Sequence, residues 1–595
     1  RRADANMAPP LPKVDAVVIG FGWTGAILAQ ELTDAGLNVL ALERGIWRDT
    51  DTDFSTTFAQ DELRYRYRME LFQRPAHDTC TVRNTVNQTA LPMRRLGSFL
   101  PGSGVGGAGV HWNGQTWRYL PSDLTAKSHN IQRYGKAALP PDMTIQDYGV
   151  TYAELEPYYD KFEYLCGISG QAGNINGAIQ PGGDPFEGPR TRGYPNPPLD
   201  MPWGPTMFGQ AASSLGYHPF PQPAANASRP YTNPLGVQMG PCTYCGFCEK
   251  FGCGNYSKAS AQTTILPVLL AKSNFALKTN CEVLKINLAA DGKTATGVTY
   301  IDDAGGEYFQ AADMVILSAY ILHNVRLLLV SGIGKPYDPS SGQGVIGKNY
   351  AYQIDSSVDV FYEDKILNPF AGAGALGMMI SDFNGDNFDH SGLGFIGGGY
   401  IGVLQTGSRP IETHPTPEGT PKWGGAWKKA LAKSYLRTAT VATQGAVMSY
   451  RGNYLDLDPT YRDVYGRPLL RMTFDFKDNE HKMSDYVTAK AAEIARAMGG
   501  REIAVKPRVG SWSVVPYQST HNTGGAIMGA NPKESALNKY LQSWDVANLF
   551  VMGATAFPQQ SGYNPTGTLA ALAYYSAQAI TTQYLKTPGK PLVQA

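Results

Sequence analysis

One stretch near the N-terminus constrains the fold more than any other. The apolar run Val14-Asp15-Ala16-Val17-Val18-Ile19 ends in Gly20-Phe21-Gly22-Trp23-Thr24-Gly25. A helical pattern follows from Ala26 to Ala35, then a second apolar run from Asn38 to Leu42, closing on Glu43, 18 residues after Gly25. Strand, G-x-G-x-x-G turn, helix, strand and acid in this register form the βαβ unit that binds a dinucleotide. Gly20 permits the tight turn, Gly22 lets a pyrophosphate approach the backbone, and Gly25 lets the helix close on the strand. The helix turns its positive end toward the phosphates. Glu43 is placed to accept hydrogen bonds from a ribose.

That unit is a small part of a chain of 595 residues, too long for one hydrophobic core. Hydrophobic residues make up 43% and charged residues 17%, as in a globular protein with a large core. A net charge of +1 without a long charge run argues against a nucleic-acid partner. Residues 50 to 100 are polar and aromatic and are expected to wrap the nucleotide. The Pro-, Gly- and Tyr-rich stretch from Pro140 to Pro234 reads as an irregular excursion, with a helix near Tyr152 to Cys166. Strands are expected over Leu277 to Tyr300, broken at Asp291-Gly292, and over Met314 to Leu317, leading into a helix from His323 to Val330. From Val345 to Arg508 strands alternate around a long amphipathic helix, Asp478 to Met498, which suggests a separate sheet-based domain. Leu549 to Met552 reads as a last buried strand and Thr566 to Tyr584 as a closing helix. The best apolar stretch, Met314 to Val330, is interrupted by His323, Asn324 and Arg326, so no transmembrane helix is expected. Arg1-Arg2 is not followed by an apolar export segment.

Three further segments carry chemistry. In the first, Gly104, Gly106, Gly107 and Gly109 precede His111-Trp112-Asn113, so the backbone can press on a flat ligand while the imidazole is aimed from a fixed loop. In the second, Cys242, Cys245, Cys248 and Cys253 fall within twelve residues, whereas Cys80, Cys166 and Cys281 are isolated. The first three cysteines repeat the close spacing of iron–sulfur ferredoxins, but the last interval and the missing terminal Pro differ. Four cysteines also suit zinc, and disulfides or free thiols are open. No Cys-x2-Cys-His occurs, which excludes the usual covalent haem site. In the third, His521-Asn522-Thr523-Gly524-Gly525 is followed by Gly562-Tyr563-Asn564-Pro565. A neutral imidazole suits the removal of an alcohol proton while hydride leaves carbon.

The fingerprint with Glu43, the segment Gly102 to Arg118, Leu327-Leu328-Leu329-Val330-Ser331-Gly332-Ile333-Gly334 and the C-terminal pair together resemble the glucose–methanol–choline family of flavin oxidoreductases. His323-Asn324 departs from the Thr-Pro usual there, which alters helix entry more than chemistry. The resemblance implies an α/β protein with a Rossmann-like FAD-binding domain of the glutathione-reductase type. A discontinuous α+β substrate domain on a mostly antiparallel sheet accompanies it. The FAD-binding parts are expected at 1–150, 236–345 (holding the cysteine cluster) and 509–595 (holding the catalytic pair). The excursion spans 151–235 and the substrate domain 346–508. His521 then matches the family's base and Asn564 its partner, while Gly106, Gly107, Asn113, Val283, Gly553, Ala554, Asn564, Pro565 and Thr566 join the fingerprint around FAD. Sugar-oxidising members with a His-Trp here imply a bond from His111 to the flavin 8α-methyl, with non-covalent packing as the alternative.

Within the family the chain is most similar to membrane-associated sugar-acid dehydrogenase flavoproteins. That similarity implies oxidation of D-gluconate to 2-keto-D-gluconate. Electrons would leave through an iron–sulfur cluster, 3Fe–4S rather than 4Fe–4S, with one cysteine as a spectator. It further implies a small subunit bearing an export signal, a membrane-bound multihaem cytochrome c subunit, and quinone downstream, at the periplasmic face of a bacterial inner membrane. The alternatives are a dehydrogenase for 2-ketogluconate, fructose or sorbitol, an oxygen-using sugar oxidase, and a non-catalytic flavin-binding electron carrier. His77, His218, His390 and His414 read as structural, and Arg229, Lys506 and Arg508 are candidates for a substrate carboxylate by location alone.

Overall fold

The computed structural model describes residues 10–54, 74–94, 97–409 and 412–595. Arg1-Arg2 and residues 55–73 and 95–96 of the expected nucleotide wrap lie outside them. Two sheets organise the chain. The first has seven strands in the order Phe275–Lys278, Val39–Leu42, Pro10–Ile19, Glu307–Leu317, Ala295–Asp302, Cys281–Leu288, with Leu549–Val551 on the far half of Glu307–Leu317. The first four run parallel, Leu549–Val551 joins them in parallel, and the remaining pairs are antiparallel. Ala16, Val17, Val18 and all of Val39–Leu42 are buried, as a parallel strand covered on both faces requires. Ile19 pairs with Leu42 and Leu317, and Leu317 with Val551. The carboxyl ends of these strands therefore share one edge, where ligands of open α/β sheets bind.

The helix Trp23–Asp34 leaves that edge and packs on the helix Thr566–Thr582, which packs in turn on Tyr152–Cys166. The last begins where Thr151 and Glu154 form a reciprocal capping box and ends at Gly167, whose φ of 62° suits glycine. The helix Ile321–Val330 starts two residues earlier than the sequence suggests. Asn324, in place of the family's usual Pro, accepts from the amide of Ala319 (2.7 Å) and donates to the carbonyl of Met552 (3.1 Å). It thereby fastens the helix entry to the sheet.

The second sheet has six strands, in the order Glu502–Lys506, Ile354–Phe361, Thr438–Gly445, Gly399–Leu404, Gly377–Ile380, Phe220–Pro221, and every neighbouring pair is antiparallel. Its edge strand Phe220–Pro221 comes from the stretch read as irregular. The helix Asp478–Ala497 covers one face, where Ser356 meets Thr488 (2.6 Å). The opposite face turns toward the ligand edge of the first sheet. The expected fold class holds, with a parallel dinucleotide sheet and an antiparallel second sheet assembled from separated segments. Among the described residues no helix is long and apolar enough to cross a membrane.

Candidate active site

Between the two sheets lies a continuous cavity of about 490 Å³ whose wall includes Gly20, Gly22 and Glu43 as well as His111, His521 and Asn564. At the fingerprint, Gly20 has a φ of 90°, and a Cβ there would stand 2.5 Å from the carbonyl of Ser318. A Cβ on Gly25 would fall 2.1 Å from the carbonyl of Gly20. Gly25 is outside the cavity wall and serves the closure of helix on turn. Gly22 faces the second glycine loop: a Cβ on Gly107 would come within 3.0 Å of the Gly22 Cα. Two bare backbones thus flank the cavity beside a helix N-terminus, which suits a pyrophosphate. Val283, Gly553, Ala554, Pro565 and Thr566 line the same cavity, whereas Gly106, at a φ of 94°, shapes the loop behind it.

Glu43 has a further task that the sequence does not reveal. Its carboxylate accepts from the amides of Phe21 (2.9 Å), Gly45 (2.8 Å) and Gly104 (3.2 Å). Those three bonds tie the two glycine loops to the end of the second strand. They also oppose the burial that pushes its carboxyl up. Of about four acceptor positions on a carboxylate, one remains for a ribose hydroxyl.

His111 follows the 3₁₀ turn Gly107–Val110 and is buried. Its Nε2 donates to the carbonyl of Leu100 (2.9 Å), which places the lone pair of the neutral ring on Nδ1. Burial pulls its pKa down to about 3, with the positive charges of Lys258 and Arg48 acting in the same sense. Asn113 lines the cavity and accepts from the amide of Gln115 (3.2 Å).

His521 and Asn564 meet at the far end, with His521 Nε2 3.2 Å from Asn564 Nδ2. Two networks fix which atom does what. Gln353, fully buried, donates through Nε2 to the carbonyls of Ser561 (2.8 Å) and Tyr563 (3.0 Å), so its Oε1 faces His521 and accepts as well from the Ser519 hydroxyl (2.9 Å), which itself lies 2.8 Å from His521 Nδ1. Gln353 Oε1 lies 2.5 Å from His521 Nδ1. Nδ1 therefore carries the proton and Nε2 the lone pair. Asn564 is fixed in the same way: its Oδ1 accepts from Gln444 Nε2 (2.8 Å), which turns Nδ2 toward His521, and the Tyr400 hydroxyl, which donates to Gln115 Oε1 (3.0 Å), lies 3.4 Å from the same oxygen. The result is a base and a donor side by side. Burial lowers the His521 pKa to about 3, so the ring is neutral and able to accept a proton at ordinary pH. Gln353, Gln444 and Tyr400 escaped the sequence reading. Their only trace is a polar residue within each apolar strand or its approach.

The four cysteines pack behind His111 rather than in the cavity wall. Lys250 donates its amide to the carbonyl of His111 (2.8 Å), and Asn226 Nδ2 stands 3.9 Å from Cys242 Sγ and 3.6 Å from Cys248 Sγ. None of the four is in a disulfide. Burial and the neighbouring thiols push Cys242 up to about 12. The buried Lys258 ammonium reaches the carbonyls of Trp112 (2.7 Å), Cys248 (2.6 Å) and Phe251 (2.8 Å), joining the cysteine loop to the His111 loop. Among the described residues no three His, Cys, Asp or Glu side chains converge as ligands of one metal ion.

The isolated histidines pair elsewhere: His77 with Glu282 (2.6 Å), His218 with Asp382 (2.8 Å), His390 with Asp386 (3.0 Å), while His414 packs on Trp427. Lys506 pairs with Asp359 (2.5 Å). Arg508 donates to the carbonyl of the cavity residue Asp355 (3.1 Å), and none of Arg229, Lys506 and Arg508 is in the cavity wall.

With this geometry in place, similarity to known proteins has a site to refer to. Residues 224–355 and 449–573 match the two family models described as GMC oxidoreductase. The chain is 51% identical to the gluconate 2-dehydrogenase flavoprotein of Pantoea cypripedii, over all of this chain and 98% of that one. It is 26% identical to the fructose dehydrogenase large subunit of Gluconobacter japonicus, over 95% and 97% of the two chains. Among solved structures, pyridoxine 4-oxidase from Mesorbium loti superposes with a TM-score of 0.55 at 15% identity, over 95% of this chain and 98% of that one.

Proposed function

The chain belongs to the GMC oxidoreductase family and is an FAD-dependent enzyme acting on CH–OH groups; from that premise we propose that it oxidises a sugar acid, D-gluconate, at C2. The observation that carries this reading is the His521–Asn564 pair, locked in complementary orientation in the cavity that begins at the dinucleotide cradle. The likeness to the Pantoea cypripedii flavoprotein supports the choice of substrate.

The residues fit FAD, because Gly22 and Gly107 present bare backbone to the cavity beside a helix N-terminus, with Glu43 in the same wall. When bound, FAD supplies a two-electron acceptor for the hydride of the alcohol carbon. His521 takes the hydroxyl proton at Nε2. Asn564 donates from Nδ2 to the same oxygen and holds the alcohol in one orientation. The charge that develops on the imidazole is shared with Gln353 Oε1 through Nδ1–H. His111 is the proposed anchor of the flavin 8α-methyl, held in the cavity wall by its bond to Leu100. Cys242, Cys245, Cys248 and Cys253 are the proposed ligand set of an iron–sulfur cluster, 3Fe–4S with three of the four, which would supply a one-electron exit toward a cytochrome c subunit and quinone. A small subunit with an export signal and a periplasmic location complete the proposal.

Anaerobic dye reduction by the purified chain or complex, with D-gluconate, 2-ketogluconate, fructose and sorbitol compared, tests the substrate. Preference for another of these replaces gluconate. Peroxide formed in air as fast as dye is reduced would favour an oxidase, and unchanged dye reduction in His521→Ala would favour an electron carrier. Yellow colour retained in an acid pellet supports the His111 bond and full release refutes it. Iron analysis with a low-temperature paramagnetic signal distinguishes a cluster from zinc.

A further inference from the structure

Three side chains form one row across the antiparallel sheet. Asp355 is the register partner of Gln444, and Gln444 is the register partner of Tyr400. Such neighbours share a face, with Cβ atoms ~5 Å apart. The next residue along, Ser356, turns to the covered face and meets Thr488, so the row faces the cavity. All three line it. Two of them have partners: Gln444 Nε2 donates to Asn564 Oδ1, and the Tyr400 hydroxyl donates to Gln115 Oε1 (3.0 Å) with Asn564 Oδ1 at 3.4 Å.

Asp355 has no such commitment. Its Oδ1 is shut off from solvent and accepts no hydrogen bond from any described residue. The nearest cation, Arg508, spends its Nε on the Asp355 carbonyl and not on the carboxylate. Burial pushes the carboxyl up to about 7, with Arg508 opposing. A buried carboxylate oxygen without a donor is costly and is retained where a ligand supplies the partner. The missing partner stands one side chain from Asn564, beside the oxygen of the alcohol being oxidised. A hydroxyl both donates and accepts, so it satisfies the carboxyl whether charged or neutral.

We propose that Asp355 is a substrate-binding residue that exchanges a hydrogen bond with a hydroxyl of the polyol chain next to the oxidised carbon, and so selects polyhydroxylated substrates. This rests on oxidation taking place at His521 and Asn564. When charged, Asp355 repels the carboxylate of a sugar acid. The acid end is thereby turned away from the row, and C3 and the carbons beyond it are turned toward it.

The test compares D-gluconate with 3-deoxy- and 4-deoxy-D-gluconate in wild type, Asp355→Ala and Asp355→Asn, each checked first for flavin content. Asp355→Ala is expected to lower kcat/KM for D-gluconate about 10- to 100-fold, the range for a hydrogen bond to a charged group. Wild type should lose a similar factor on the deoxy compound that lacks the contacted hydroxyl. Asp355→Ala should lose nothing more on that compound, because the pair is already broken. An alanine variant that keeps wild-type activity on D-gluconate, or that discriminates among the three compounds as wild type does, overturns the proposal. If the alanine variant does not fold or hold flavin, Asp355→Asn carries the same comparison. A wild type inactive on D-gluconate refutes the substrate reading instead. The cycle is then run on whichever of fructose or sorbitol is oxidised and on its deoxy forms, with the same two criteria.

Discussion

Gln353 touches neither the cavity nor a ligand, yet the orientation of the base depends on it. Replacing it by Met keeps the volume and removes the oxygen that faces His521 Nδ1. The bond lost is modest while the ring is neutral. It becomes charge-assisted when the ring takes the substrate proton, and is then worth about 1.5–3 kcal/mol. The flavin reduction rate constant should therefore fall about 10- to 100-fold, with little change in substrate affinity. The carbonyls of Ser561 and Tyr563 also lose their donor, at a cost of about 1–3 kcal/mol each in stability. The assay is stopped-flow reduction of the flavin under nitrogen, on variant of verified flavin content. Gln353→Glu is the companion: a carboxylate against Nδ1 favours the imidazolium and raises the His521 pKa from about 3. An acid limb absent from the wild-type profile should then enter the measurable range. A methionine variant within threefold of the wild-type rate, together with an unchanged pH profile in the glutamate variant, would refute the tautomer lock.

Three further outcomes follow from the same contacts. Gly25→Ala drives a Cβ into the backbone carbonyl of Gly20 at 2.1 Å, and the variant should purify with little flavin; full flavin content would contradict the role of the close approach. Because His521 is held neutral down to about pH 3, the unfolded chain takes up a proton near the ordinary pKa of 6.5 that the native one refuses, so its contribution lowers stability as pH falls. At pH 5 that contribution is about 2 kcal/mol, and His521→Gln should narrow the gap in thermal midpoint between pH 7 and pH 5; an unchanged gap would contradict it. Lys258→Met removes the ammonium shared by the carbonyls of Trp112, Cys248 and Phe251, and iron content should drop together with flavin content; retention of both at wild-type levels would separate the two loops.

How much of this was readable beforehand follows from the range of the interactions. The fingerprint was legible because strand, turn, helix and acid lie within one stretch and obey local rules. His521 and Asn564 were legible as a pair through the family resemblance, since 43 residues separate them along the chain. Their orientation was not legible. Gln353 lies 168 residues before His521, and Gln444 lies 120 before Asn564. Which face of a strand such residues occupy depends on a register set by the whole sheet. Asp355 was hidden for the same reason, as one acidic residue near the start of an ordinary strand. Glu43 illustrates the converse: its ribose role was visible in the spacing, but its three bonds to loop amides required the second glycine loop to be seen folded against the first. The cysteines showed their number and proximity in sequence, whereas their place behind the His111 loop, joined to it through Lys258, appears only in three dimensions.

Anaerobic mixing of the flavin-loaded protein with D-gluconate, followed at the flavin band, tests most directly whether His521 and Asn564 face an alcohol carbon that gives up hydride. Bleaching is predicted, with one 2-keto-D-gluconate formed per flavin. It should be slower when C2 carries deuterium, and about 10²- to 10⁴-fold slower in His521→Ala. A flavin that stays oxidised with gluconate and every polyol offered, or a His521→Ala variant that bleaches at the wild-type rate, would contradict it.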